Sequence, residues 1–119
     1  MRLNEVSYPD GQPVDGYGPG FFRMGGQVIT GGLLAAPGQA PKVWGGYADR
    51  DALLALAGKV DVLLVGTGSE IAHLPPDLRE ALEEAGIGIE IMASPAACRT
   101  YNVLLSEGRR IGLAVRPVA

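Results

Sequence analysis

The sequence predicts an α/β domain in which a central mixed sheet is covered by helices in three layers, with a β-hairpin on its N-terminal side. Three observations carry this expectation. Sixteen of the 27 glycines and prolines fall in residues 9–46, a density too broken for helix and suited to short strands and tight turns. Val60–Val65 is a nearly continuous apolar run of strand length, as expected of a strand buried on both faces. Two helix-start signals, Pro75-Pro76-Asp77 and Ser94-Pro95, then alternate with strand-like segments, which is the order of an α/β chain.

The elements follow in order. Phe21–Met24 and Gln27–Thr30 flank Gly25-Gly26, and two apolar runs around such a pair read as a hairpin, because the turn needs positive φ. A short strand is expected at Lys42-Val43-Trp44. Asp49 is placed to cap a helix over Asp51–Ala57, with Leu53, Leu54 and Leu56 apolar and Gly58 ending it. After the buried strand Val60–Val65, the next helix opens at Pro75-Pro76 with Asp77 and Glu80 near its positive end. Leu78, Leu82 and Ala85 give it one apolar face, and Gly86 caps it. Ile87–Met92 alternates as a strand. Ser94 is expected to cap a third helix that runs through Tyr101 and Leu105 to Ser106. Glu107-Gly108-Arg109 is a turn, and Arg110–Arg116 closes the sheet.

Length and charge bound the function. A chain of 119 residues is expected to form a single domain over 1–119, with 47% hydrophobic residues enough for one core. The net charge of −3 and the absence of a Lys/Arg cluster leave no electrostatic footprint for nucleic acid. Lys59 and Asp61 interrupt the most apolar region, so no stretch approaches the roughly 18 residues of a membrane span, and no membrane insertion is expected. Met1–Glu5 has neither the apolar core of a secretory signal nor the acid-free character of a mitochondrial presequence, which points to the cytoplasm. Eight arginines against two lysines, with abundant Ala and Gly, fit a GC-rich bacterial genome.

Few residues offer chemistry. Gly66-Thr67-Gly68 follows the buried strand, where a glycine turn can bring backbone N–H groups against an anion. A dinucleotide fingerprint would require glycine at 71, which is Ile71, and a helix starting at once, which Pro75-Pro76 delays. The alternatives are a small-ligand site and a purely structural turn. Cys98 lies near the start of the third helix beside Arg99, a setting that favours thiolate; the alternative is a small buried core residue. Asn102, four residues on, either satisfies a buried backbone group or contacts a ligand. His73 is the only histidine and is read as a surface residue, and Trp44 is either a core anchor or a partner-binding aromatic. One cysteine excludes a disulfide framework, and scattered carboxylates show no metal-ligand spacing, so neither a metal nor a cofactor is expected.

Asp15-Gly16-Tyr17-Gly18, Val62–Gly68 and Ser94–Gly112 resemble the small domain shared by the mitochondrial respiratory complex I assembly factor three and the adipogenesis-associated domain protein. The most specific piece is Pro95-Ala96-Ala97-Cys98-Arg99-Thr100-Tyr101-Asn102, followed by Ser106-Glu107-Gly108-Arg109. The resemblance covers nearly the whole chain. It implies a three-layer α/β fold and a non-catalytic accessory or interaction role with a protein partner, as in assembly of a respiratory or other complex. It also marks Thr100 and Asn102 as motif positions. The alternative is a ligand-binding domain or small enzyme using Gly66, Thr67 and Gly68 with Cys98, Thr100 and Asn102. In that case the loop and the third helix start would converge at one sheet edge, with the thiol at its margin and its pKa lowered.

Overall fold

The computed structural model describes residues 11–119; the reading of Met1–Glu5 lies outside them. In chain order the elements are β1 (Val14–Gly18), β2 (Phe21–Met24), β3 (Gln27–Thr30), β4 (Gly32–Ala35), β5 (Lys42–Trp44), α1 (Arg50–Leu54), β6 (Val62–Gly66), α2 (Pro76–Glu84), β7 (Gly88–Met92), α3 (Ser94–Ser106) and β8 (Ile111–Val115). They form an antiparallel sheet, β1-β2-β3, and a mixed five-stranded sheet in the order β5-β4-β8-β6-β7. Within the larger sheet β6 runs parallel to both β7 and β8, while β4 is antiparallel to β5 and β8.

The expected hairpin forms at Gly25-Gly26, where Met24 opposes Gln27 and both glycines have positive φ (+59° and +79°), the backbone of a two-residue turn that matches strand twist. It widens into three strands because β1 joins β2, from Val14 opposite Met24 to Gly18 opposite Phe21. Here the Phe21 ring lies across Gly18: a Cβ there would meet it at 2.5 Å.

The mixed sheet separates two apolar layers, and strand alternation assigns residues to each. Leu64, Leu113, Val115 and Leu33 face α3 and the small sheet, packing with Phe22, Cys98, Tyr101 and Leu105. Leu63, Val65, Leu34 and Ala114 face α1 and α2, packing with Trp44, Leu53, Leu78 and Leu82. Three layers result. The apolar run is thus an interior strand buried on both sides, although the middle position belongs to β8. The strand starts at Val62, not Val60, since the Asp61 N–H bonds the Arg110 carbonyl at 2.9 Å as the chain enters the sheet.

Two helix starts differ from expectation. Helix α1 ends at Leu54, where i→i+3 bonds from Leu56 to Leu53 and from Ala57 to Leu54 tighten the chain before Gly58. Asp49 precedes it but leaves the helix uncapped; its carboxylate accepts the Gly45 N–H at 3.1 Å. Ala93, not Ser94, holds the cap position of α3, and Ser94 is already helical with its side chain turned elsewhere.

Candidate functional site

The carboxyl ends of β6, β7 and β8 meet the start of α3 at one end of the mixed sheet. The loop leaving β6 enters this junction with Thr67 and Gly68 buried. The Thr67 hydroxyl donates to the Glu70 carbonyl at 2.7 Å, has the Met92 carbonyl at 3.2 Å, and accepts the Ala72 N–H at 3.0 Å. The Thr67 N–H itself donates to Met92 O at 2.9 Å. One side chain therefore closes the loop and fixes it to the end of β7.

Gly68 and Ser94 hold each other reciprocally. The Gly68 N–H donates to Ser94 Oγ at 2.9 Å, and the Ser94 N–H donates to the Gly68 carbonyl at 2.7 Å. Ser94 Oγ then donates to the Arg116 carbonyl at 2.7 Å, and the Arg116 N–H returns to the Gly66 carbonyl at 2.9 Å. Ser94 is 0% exposed. This close fit is why position 66 has no side chain: a Cβ would stand 2.5 Å from Val115 Cγ1 and 2.7 Å from Ser94 Oγ. Gly68 has φ +107°, a region that L side chains rarely adopt.

The loop and the helix start thus lie together, but the other nominated residues diverge from them. Cys98 turns into the core with Leu64 and Tyr101 and is 4% exposed. Burial pushes its thiol up to about 12, outweighing the opposing pull of the Arg99 guanidinium, so the shift runs opposite to the expected lowering. Tyr101 beside it is likewise pushed up to about 12 by burial. Asn102 reaches the small sheet instead: its Oδ1 accepts the Val14 N–H at 2.8 Å and its Nδ2 donates to the Val14 carbonyl at 2.9 Å. At 1.5 Å per residue it stands about 12 Å along the helix from Ser94. Thr100 is half-buried and takes part in none of these hydrogen bonds.

Several concavities open on the described surface. One, about 370 Å³, lies between the β2–β3 turn, the β4–β5 loop and Tyr101, with Gln12, Gln27 and Gln39 on its walls. A second of about 320 Å³ has Gly32, Trp44, Gly46 and Arg116 around it. There the Arg116 guanidinium sits 4.8 Å from the Tyr47 ring centroid, and Tyr47 meets Trp44 edge to face at 5.9 Å. Trp44 is a core residue at 2% exposure, and its Nε1 and the Tyr47 hydroxyl are buried without a partner among the described residues. A third, about 270 Å³, is lined by Ile71, Ala72, His73 and Ile91. Spacing along the chain gives no sign of these pockets, because each joins segments far apart in sequence. Among the described residues no group of His, Cys, Asp and Glu could hold a metal, and no helix is long and apolar enough to cross a membrane.

Residues 14–115 match the family described as protein of unknown function DUF498/DUF598. The chain belongs to this family. Among its relatives, an uncharacterized protein of Rhodobacter capsulatus is 51% identical over 118 residues, which is 99% of this chain and 94% of that protein. The NADH dehydrogenase (ubiquinone) 1 alpha subcomplex assembly factor 3 of Mus musculus is 28% identical over 124 residues, covering 98% of this chain and 66% of that protein. The resemblance drawn from the Pro95–Asn102 motif and the Gly66–Gly68 turn is therefore a family relation. A crystal structure of a Bartonella henselae protein, described as an outer membrane protein, superposes with a TM-score of 0.83 at 33% identity, covering 95% of this chain and 100% of that one. That protein thus shares the α/β architecture of this chain.

Proposed function

We propose that this DUF498/DUF598 chain is a non-catalytic accessory protein of the cytoplasm that binds a protein partner and assists assembly of a respiratory or other multi-subunit complex. One observation carries the reading: of the polar groups that the sequence nominates for ligand contact, those of Thr67, Gly68 and Asn102 are engaged by the chain itself, as is the neighbouring Ser94, and only Thr100 takes part in none of these bonds. The Thr67 hydroxyl, the Gly68 N–H, the Ser94 hydroxyl and both ends of the Asn102 amide all bond to backbone or side chain within the fold. Under this reading Gly66, Thr67, Gly68, Cys98 and Asn102 form the frame that holds α3 against the sheet, and the working surface lies elsewhere. The assembly role named for the mouse relative supplies the direction.

Deletion of the gene, followed by native gel electrophoresis of the host's multi-subunit complexes, tests this. The expected result is one complex lost or stalled, its subunits persisting in smaller species. Normal assembly of every complex would contradict the reading, as would a small molecule retained by the purified chain at Gly66–Gly68.

A further inference from the structure

We infer that the partner docks on the outer edge of β7, adding to the mixed sheet as an extended strand of alternating apolar and basic residues. The inference rests on the partner-binding reading above and gives it a place. An unpaired strand edge presents a row of N–H and C=O groups that a second chain can complete, and such additions draw specificity from alternate side chains. Strand β7 has five residues and, among the described residues, pairs only with β6. Of the other edges among the described residues, β3 (Gln27–Thr30) is also unpaired on its outer side but carries no charged side chain, and the remaining two are encumbered. Strand β5 has three residues and carries Lys42, while β1 is met at Val14 by Asn102 and is followed by a bridge from Pro19 to Val118.

The side chains of β7 define what fits. Ile89 and Ile91 lie on the α2 side of the sheet, half-buried. Glu90, in register with Leu64, belongs to the opposite face and is exposed. Beside Ile91 opens the 270 Å³ slot lined by Ile71, Ala72 and His73, with Ile71 67% exposed. A strand paired with β7 would send every second side chain toward this apolar side and the alternate ones past Glu90. Charge sets the sign of those alternates. Glu90 stands on that face of the edge, while on the α2 side Glu70 is exposed next to Ile71 and α2 carries four carboxylates against one arginine, which adds negative charge around the strand edge as a whole. Basic residues complement this face. A second copy does not: two-fold pairing of β7 with itself centred on Glu90 would set Glu90 against Glu90, and like charges directly opposite are destabilising.

The test titrates the ¹⁵N-labelled full chain with a capped heptapeptide of alternating lysine and valine, and with the same peptide N-methylated at alternate amides. The expected result is saturable shifts confined to Gly88–Met92 and Ile71–His73, weakened roughly tenfold by N-methylation or by Glu90→Lys. Ile71→Ser, at an exposed position, should weaken binding without disturbing the fold. Shifts elsewhere, equal binding of the N-methylated peptide, or no saturation at millimolar concentrations would overturn the assignment. If the chain nevertheless co-migrates with a larger complex on native gels, the edge alone is wrong; if it never does, the partner reading falls with it.

Discussion

Replacing Ser94 with alanine removes a single oxygen, yet that oxygen joins three segments. It accepts from Gly68 N–H at 2.9 Å and donates to the Arg116 carbonyl at 2.7 Å, inside a residue that is 0% exposed. Ser94→Ala therefore leaves a buried donor unsatisfied and deprives a carbonyl of its donor. Each orphaned group costs about 1–3 kcal/mol, so the two together should cost about 2–6 kcal/mol. Against a typical domain stability of about 5–15 kcal/mol this is a large fraction. Urea unfolding followed by circular dichroism reads it as a lowered midpoint with an unchanged slope. Native-state hydrogen exchange should show the Gly68 amide losing protection while Leu64, in mid-strand, changes only with global stability. Ser106→Ala is the control, since that hydroxyl bonds only locally and in the open to the Val103 carbonyl; it should move stability by less than about 0.5 kcal/mol. A Ser94→Ala variant as stable as this control, with Gly68 exchange unaltered, would refute the idea of a loop, helix and strand end joined through one hydroxyl.

Asn102→Ala should cost about 1–3 kcal/mol and raise amide exchange at Val14 more than at Phe22, because both backbone groups of Val14 lose their partner; uniform exchange would contradict this. Cys98 gives a pH signature. Folding raises its thiol from 9.0 to about 12, so above pH 9 the unfolded chain holds fewer protons and stability must fall as pH rises. Between neutral pH and pH 10 the chain should lose about 1.4 kcal/mol more than Cys98→Ala does, measured by urea titration under reductant. Parallel losses in the two proteins would show that the thiol is not desolvated.

Those parts of the fold that follow from local chemistry were legible in the sequence. Val62–Val65 reads as a buried strand because consecutive branched apolar residues leave no polar face, and the Gly25-Gly26 turn reads as a hairpin because only glycine takes positive φ twice at little cost. Strands β1 and β4 have no such signature. Asp15-Gly16-Tyr17-Gly18 has low strand propensity and is held by pairing with β2 and by the Asn102 amide on Val14, 88 residues away. Leu33-Leu34-Ala35 suits a helix equally well, and only its place between β5 and β8 makes it a strand. Within the site, the Gly66-Thr67-Gly68 turn and its meeting with α3 follow from strand and helix order. What sequence could not supply is direction: whether Ser94 faces its own helix or the neighbouring strand, and whether Cys98 looks outward or into the core. Both are settled by packing between distant segments, where Gly66 permits an approach that any Cβ would block.

Whether this chain works bound to another protein is read most directly from its native mass when it is tagged at its own locus and resolved from gently lysed cells. The chain alone weighs 12.4 kDa. As an accessory protein seated through β7 it should migrate in a discrete assembly of higher mass, and Glu90→Lys, at an exposed position, should return it to the position of the free chain. Wild-type tagged protein migrating as a free monomer under every growth condition would contradict the account.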